Sequence, residues 1–228
     1  QTLILPILGF QHQIHSTAAM AQVIQANELT LSEVEDQFNL RQVLDEPPFF
    51  REWQDDLPEL SESERTALDR VKTEFLYLYK YPMLEDLVKM VVLSPLLSLA
   101  GFYRSPIRPV LEKRVAVAVN DGDRTVWGRI DILLLQRQVW VAVIESKQSG
   151  FSLKDATAQT LFYMMANPNA EQATFGLVTN GSHFIFIKLL QSELPRYAFS
   201  TEFSLFRPEN ELYPVLRILK RFAELVTR

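Results

Sequence analysis

The spacing of apolar residues along the chain changes after about residue 101. Before this point apolar side chains recur every three or four positions, and Leu68, Val71 and Phe75 fall on one side of the stretch SESERTALDRVKTEFLYLYKY. After it, short segments either alternate between apolar and polar residues or are apolar throughout, which is typical of half-buried and fully buried strands. The pattern therefore predicts helices followed by a sheet.

Helical spacing predicts three segments in the first part of the chain. A weak pattern covers residues 11–45, a strong one runs from about residue 61 to Pro82, and another covers residues 84–99. A proline-rich, irregular stretch separates the first two. The residues that suit the N-cap positions of these two helices are Thr30 or Ser32, and Ser61 or Ser63.

Strand patterns dominate the second part of the chain. Three strands are predicted at about residues 114–119, 126–135 and 139–146, with the last two joined by a turn at residues 136–138. A helix capped by Ser152 follows, and then two strands joined at Asn180-Gly181. The stretch RYAFSTEFSLF is typical of an edge strand, and a closing amphipathic helix contains Pro214 near its start.

This order predicts an α/β fold with two parts. Residues 1–80 form a mainly helical N-terminal extension. Residues 81–228 form an α/β domain in which one helix, three strands, a second helix and two further strands follow each other.

Composition narrows the possible classes of protein. The 228 residues are 47% apolar, which suits a globular core, and they include no cysteine, which excludes disulfides and thiolate metal sites and fits the cytoplasm. The longest apolar stretch is interrupted by Ser and Pro and is short for a bilayer span, so we expect no membrane partner.

Charge is divided unevenly along the chain. The net charge is −5, but residues 1–100 carry −9 and residues 101–228 carry +4. The acidic part could bind a partner subunit or support a homodimer. The basic part could contact nucleic acid, and the candidate phosphate contacts are Lys113, Arg114 and Arg129; a merely solvated surface is the alternative.

Candidate chemistry lies in the stretch WGRIDILLLQRQVWVAVIESKQ. With a turn at residues 136–138, Asp131 pairs with Val143 and shares a strand face with Glu145 and Lys147. The two carboxylates would then be diagonal neighbours, about 7–8 Å apart at the backbone. Such a pair can hold a hard cation such as Mg²⁺ between its oxygens.

A structural salt bridge is the alternative reading of these charges. Lys147 could neutralise the acids in an ordinary sheet end. Two acids and one lysine leave a negative charge in apolar surroundings, and unpaired buried charge is costly. A metal ion would supply the missing positive charge.

The same residues resemble the PD-(D/E)xK nuclease superfamily. GRID followed by a hairpin and IESK resembles its signature, with Asp131 as the first acid, Glu145 and Lys147 as the ExK pair, and Ile130 where the name has proline. Gln159 and Tyr163 in AQTLFY resemble the Q-x-x-x-Y element of one branch of the superfamily. The segment FGLVTNGSHFIFIKL is similar to part of the N-terminal nuclease domain of type I restriction enzyme R subunits.

This resemblance implies a fold and a function. The fold is a restriction-endonuclease-like αβββαβ core, and the activity is magnesium-dependent hydrolysis of DNA phosphodiester bonds, with Mn²⁺ able to substitute. Asp131, Glu145 and the backbone carbonyl of Ser146 are the implied metal ligands and Lys147 the third catalytic residue. Gln159 and Tyr163 support them.

A further acid is expected from the first core helix of such nucleases. Glu85 is the preferred candidate, and the other acids considered are Asp86, Glu74 and Glu112. The chain has no P-loop motif and is too short to contain the motor of a complete R subunit, which implies a stand-alone relative. The alternative function is a catalytically inactive module that binds DNA or a protein.

Overall fold

A computed structural model describes residues 22–44, 46, 48–119, 124–136, 139–148, 152–169 and 172–227. In this part of the chain, nine strands form one mixed sheet. The strands are β1 (Gln22–Gln25), β2 (Arg41–Gln42), β3 (Ile107–Val119), β4 (Arg124–Gln136), β5 (Val139–Ser146), β6 (Thr174–Thr179), β7 (His183–Leu190), β8 (Arg196–Phe199) and β9 (Phe203–Ser204).

Helices cover this sheet on both sides. They are α1 (Leu31–Phe38), α2 (Glu62–Leu78), α3 (Glu85–Val88), α4 (Ser94–Leu99), α5 (Leu153–Met165) and α6 (Leu212–Thr227), and a π-helical turn at Lys89–Leu93 joins α3 to α4. Thr30 and Ser61 cap α1 and α2 in capping boxes, and Ser152 caps α5, in agreement with the sequence.

Two hydrophobic layers hold the sheet. One contains α2, α3, α4 and α6, with Phe75, Leu96 and Phe222 among its buried residues. The other contains α1 and α5, with Val34 and Phe162 among its buried residues. Burial on both faces explains why every residue of the central strand β6 is buried, rather than every second one.

The order of the central elements is that of a restriction-endonuclease-like core. The helical segment α3–α4 precedes β3, β4 and β5, which pair antiparallel in that order; α5 then crosses over to β6, which pairs parallel with β5. Strand β7 adds an antiparallel neighbour to β6. The predicted αβββαβ fold is therefore confirmed.

The N-terminal part contributes strands that the sequence did not predict. The weak helical pattern over residues 11–45 is confirmed only for α1, whereas β1 pairs parallel with β4 and β2 pairs parallel with β8. Residues 11–21 lie outside the described ranges. The division of the chain at residue 80 stays a prediction, although α2 packs into the same apolar layer as α6.

A helix that crosses a bilayer needs about 20 predominantly apolar residues. In the described part of the chain, no helix combines the length and apolarity needed to cross a membrane.

Candidate active site

The pairing of β4 with β5 sets the position of the candidate residues, and the predicted register is wrong. Gln136 pairs with Val139 and Leu135 with Trp140, and the register then shifts so that Ile132 pairs with Ile144. The first pair, Gln136 with Val139, is displaced by one residue from the predicted pairing. A β-bulge between Leu134 and Leu135 displaces the pairing by one residue more. Because two single shifts restore the original face, Asp131 still lies on the side of Glu145, but level with it rather than diagonal to it.

A compact set of polar contacts joins the ends of β4 and β5. The Ser146 N–H donates to Oδ2 of Asp131 at 2.8 Å. The Nζ of Lys147 lies 2.6 Å from Oε1 of Glu145. Glu145 is only 2% exposed, and its second oxygen, Oε2, is buried without a hydrogen-bond partner among the described residues. One carboxylate oxygen in this site is thus left uncompensated by the protein.

Helix α5 continues this set of contacts. Lys147 donates from Nζ to Oε1 of Gln159 at 3.0 Å, and Nε2 of Gln159 donates to the hydroxyl of Tyr163 at 2.7 Å. The same hydroxyl accepts the N–H of Arg129 at 3.0 Å. A chain of hydrogen bonds therefore runs from the lysine to the backbone of β4 and fixes the amide of Gln159 with its oxygen toward the ammonium.

Gly128 makes room for this arrangement. A Cβ atom at this position would lie 2.5 Å from the Tyr163 hydroxyl and 2.9 Å from the Cβ of Ala26. Both separations are far inside van der Waals contact. Glycine is therefore required where the phenol approaches β4.

Replacing Tyr163 by phenylalanine is expected to destabilise the protein by about 1–3 kcal/mol, because the Arg129 N–H and the Gln159 amide lose a buried acceptor. Urea unfolding measures this loss. Tyr77→Phe is the matched control, since Tyr77 is 60% exposed on α2. Equal stability changes in the two variants would contradict a structural role for the Tyr163 hydroxyl.

A cavity of about 390 Å³ opens over these residues. Eight of the ten residues singled out from the sequence line it, namely Glu85, Arg114, Arg129, Asp131, Glu145, Lys147, Gln159 and Tyr163. Trp127, which is 41% exposed, also belongs to the lining. The cavity therefore brings carboxylates, cations and an aromatic ring to one open site.

Two predicted residues lie outside the cavity lining. Ser146 contributes its backbone N–H to Asp131 as described above. Lys113 is exposed and pairs across the sheet with buried Ile130, and its contact with DNA stays a prediction. Glu74, a weaker candidate for the additional acid, pairs with Arg70 on the surface of α2 instead.

Lys89 is the important residue that the sequence reasoning missed. Its Nζ lies 2.5 Å from Oε1 of Glu85, 3.2 Å from Oδ1 of Asp131 and 3.8 Å from Oε1 of Glu112. Glu112 also pairs with Arg129. The signal was present, because Glu85 and Lys89 have the four-residue spacing of a helical ion pair. The inference that a metal ion would supply the missing positive charge was therefore incomplete, because Lys89 already supplies one.

Burial changes the acidity of the carboxyl groups. It raises the pKa of Glu145 to about 8, with a further increase from the neighbouring charge of Asp131. Burial also raises the pKa of Asp131, although the hydrogen bond from Ser146 opposes this. A cation placed between the two groups would favour their ionised forms.

The donor set fits a divalent cation in part. The uncompensated Oε2 of Glu145 and the proximity of Asp131 favour a hard cation. Within the described ranges, however, no three His, Cys, Asp or Glu side chains are grouped so that they could hold a metal ion. Backbone oxygen and water would therefore have to complete the coordination, as is usual for Mg²⁺.

The central part of the chain matches a known protein family. Residues 115–193 match the family model of the type I restriction enzyme R protein N terminus. The matched segment contains Asp131, Glu145, Lys147, Gln159 and Tyr163 and spans less than half of the chain. No curated protein matched. The resemblance to the nuclease domain of type I R subunits is thereby confirmed for residues 115–193.

Proposed function

We propose that the chain is a magnesium-dependent DNA endonuclease related to the nuclease domains of type I restriction enzymes. The observation that carries this proposal is the buried carboxylate pair of Asp131 and Glu145. It has one uncompensated oxygen, lies beside the Lys147 ammonium and lines an open cavity. A buried polar oxygen without a partner is costly, and carboxyl groups with a strongly raised pKa beside an open cavity are typical of functional sites.

Asp131, Glu145 and the backbone carbonyl of Ser146 would hold the cation, with Mn²⁺ able to replace Mg²⁺. When bound, such an ion polarises the scissile phosphate and lowers the pKa of a water molecule. This assignment draws on the chemistry of the oxygen donors, which hard cations prefer.

Lys147 would supply the fixed positive charge of the reaction. An ammonium group has three N–H donors, and the bonds to Glu145 and Gln159 engage two of them. The remaining donor is available to orient the attacking water or to stabilise charge that develops on the phosphate. Gln159 and Tyr163 would hold the ammonium in place through their hydrogen bonds.

The cavity rim would bind the DNA strand. Arg114 and Arg129 are directly opposite each other on β3 and β4, and both line the cavity. Guanidinium groups suit phosphate oxygens, and the exposed ring of Trp127 beside them can stack on a base. Contacts of this kind favour nucleic acid over a small anionic substrate.

Supercoiled plasmid is the substrate that tests this function. Purified protein of residues 1–228 is expected to convert it to nicked or linear DNA in the presence of Mg²⁺ or Mn²⁺, and EDTA is expected to stop the reaction. Agarose gel electrophoresis measures the conversion. Asp131→Asn provides the control against a contaminating nuclease, since it removes an implied ligand. Cleavage that continues in EDTA or in this variant would contradict the proposal.

The second candidate is an inactive module that binds DNA or a protein partner. The ion pair between Lys89 and Asp131 favours it, because this carboxylate already has a cationic partner. Retention of plasmid in a gel-shift assay without any cleavage would support this alternative. A partner subunit or homodimer through the acidic N-terminal part, and a cytoplasmic location, remain predictions from composition.

A further inference from the structure

We propose that Lys89 is an internal counter-ion of the metal-free site, which leaves Asp131 when a divalent cation binds. This inference rests on the proposed function. It implies that Lys89 lowers the affinity of the site for a divalent metal ion.

Lys89 and a divalent cation would compete for the carboxylate of Asp131. Its Oδ2 accepts the N–H of Ser146, and its Oδ1 faces the ammonium of Lys89 at 3.2 Å. The Lys89 side chain is 20% exposed, so solvent screens its charge only partly. A divalent cation that approached Asp131 would be repelled by this ammonium at short range. Cation binding and the Lys89–Asp131 pair therefore oppose each other.

Lys89 has other acids to which it can move. Glu85, one helical turn earlier, lies 2.5 Å from its Nζ, and Glu112 on β3 lies 3.8 Å away. The ammonium can therefore give up Asp131 without becoming an unpaired buried charge. The flexible four-carbon stem of lysine allows such a movement, which the planar fork of arginine would restrict.

The backbone around Lys89 is consistent with this role. Lys89 is the first residue of the π-helical turn Lys89–Leu93, which interrupts an otherwise α-helical segment. Such turns are rare and frequently occur at functional sites.

Isothermal titration of the metal-free protein, residues 1–228, with MnCl₂ tests the proposal. Lys89→Met and Lys89→Gln are expected to bind Mn²⁺ about tenfold more tightly than the original chain, because the competing charge is gone. Lys220→Met is the matched control and should change affinity less than twofold. Lys220 has similar exposure, 24%, and pairs with Glu64 at 2.7 Å on another part of the surface.

The outcomes separate this inference from the proposed function. If the original chain binds Mn²⁺ through Asp131 and the Lys89 variants bind it equally or more weakly, only the inference is overturned. If the original chain binds no Mn²⁺, as judged against Asp131→Asn, both fail.

A crystal of the unaltered chain grown with MnCl₂ gives a test that depends on no variant. The Lys89 Nζ to Asp131 Oδ1 distance is expected to exceed 4 Å in place of 3.2 Å. An unchanged distance beside a bound ion would overturn the inference.

Discussion

Replacing Lys147 by alanine is expected to lower the rate of plasmid cleavage by about 100- to 1,000-fold, the usual effect of removing one fixed donor that stabilises developing charge. The ammonium lies between Glu145 and Gln159, with its Nζ 2.6 Å and 3.0 Å from their oxygens, and it lines the cavity. Among the described residues that line the cavity, Lys147 is the one lysine. Initial rates at saturating Mg²⁺ measure the effect.

The control for this prediction is Lys154→Ala. Lys154 is an exposed lysine in the first turn of α5 and does not belong to the lining of this cavity. It should retain the original rate. Because Lys147→Ala removes the cation beside buried Glu145, circular dichroism must show that the variant is folded at the assay temperature. A folded variant whose rate is within tenfold of the original would remove Lys147 from the mechanism.

Most of the central fold could be predicted because its strands and helices carry strong local patterns. The two apolar runs, the Asn180-Gly181 turn and the serine caps each limit the conformations available to their own segment. The short strands β1 and β2 could not be predicted in this way. Strands of four and two residues are too short to show a periodic pattern of apolar residues. Their parallel pairing with β4 and β8 depends on contacts that are distant in sequence.

The structure brings most of the candidate site residues to one cavity, whereas the geometry predicted for the hairpin was wrong. The two errors in register cancelled, because a bulge between Leu134 and Leu135 offset the misplaced turn. A bulge has no distinct signal in an all-apolar strand, where either face can be buried. Lys89 was missed because charges were counted within the β4–β5 hairpin alone. Lys89 lies in the helical segment that packs on the sheet, and it contacts Asp131 from there.

Replacing Glu145, another catalytic candidate, is expected to have opposite effects on activity and on the stability of the metal-free protein. Glu145→Gln is expected to abolish Mn²⁺ binding and lower cleavage by about 100- to 1,000-fold, yet to stabilise the metal-free fold at high pH. The reason is that Glu145 is 2% exposed and its Oε2 has no partner among the described residues. The neutral amide of glutamine has no proton to lose at this pH, so it avoids the cost of a buried negative charge at this position.

The dependence on pH follows from the raised pKa. Burial raises the pKa of Glu145 from 4.5 to about 8, so the folded protein keeps a proton that the unfolded chain has already released. The stability contributed by this group is complete below about pH 4.5 and falls as pH rises toward 8, by at most about 1.4 kcal/mol per pH unit. Glu145→Gln lacks this fall, so its advantage over the original chain should grow through this range. Urea unfolding in EDTA at several pH values measures the difference.

Glu64→Gln is the matched control for this experiment. Burial alone would raise the pKa of Glu64, but its ion pair with Lys220 and hydrogen bonds with Ser61 outweigh burial and lower it. Glu64 therefore stabilises the fold above pH 4.5 and loses this contribution as pH falls, so Glu64→Gln should become less stable than the original chain on going from acid to neutral pH. If the free energy of unfolding of the two variants, relative to the original chain, changed with pH in the same direction, Glu145 would be an ordinary ion-paired carboxylate. The opposite slope is expected only for a carboxyl group whose pKa is raised by burial.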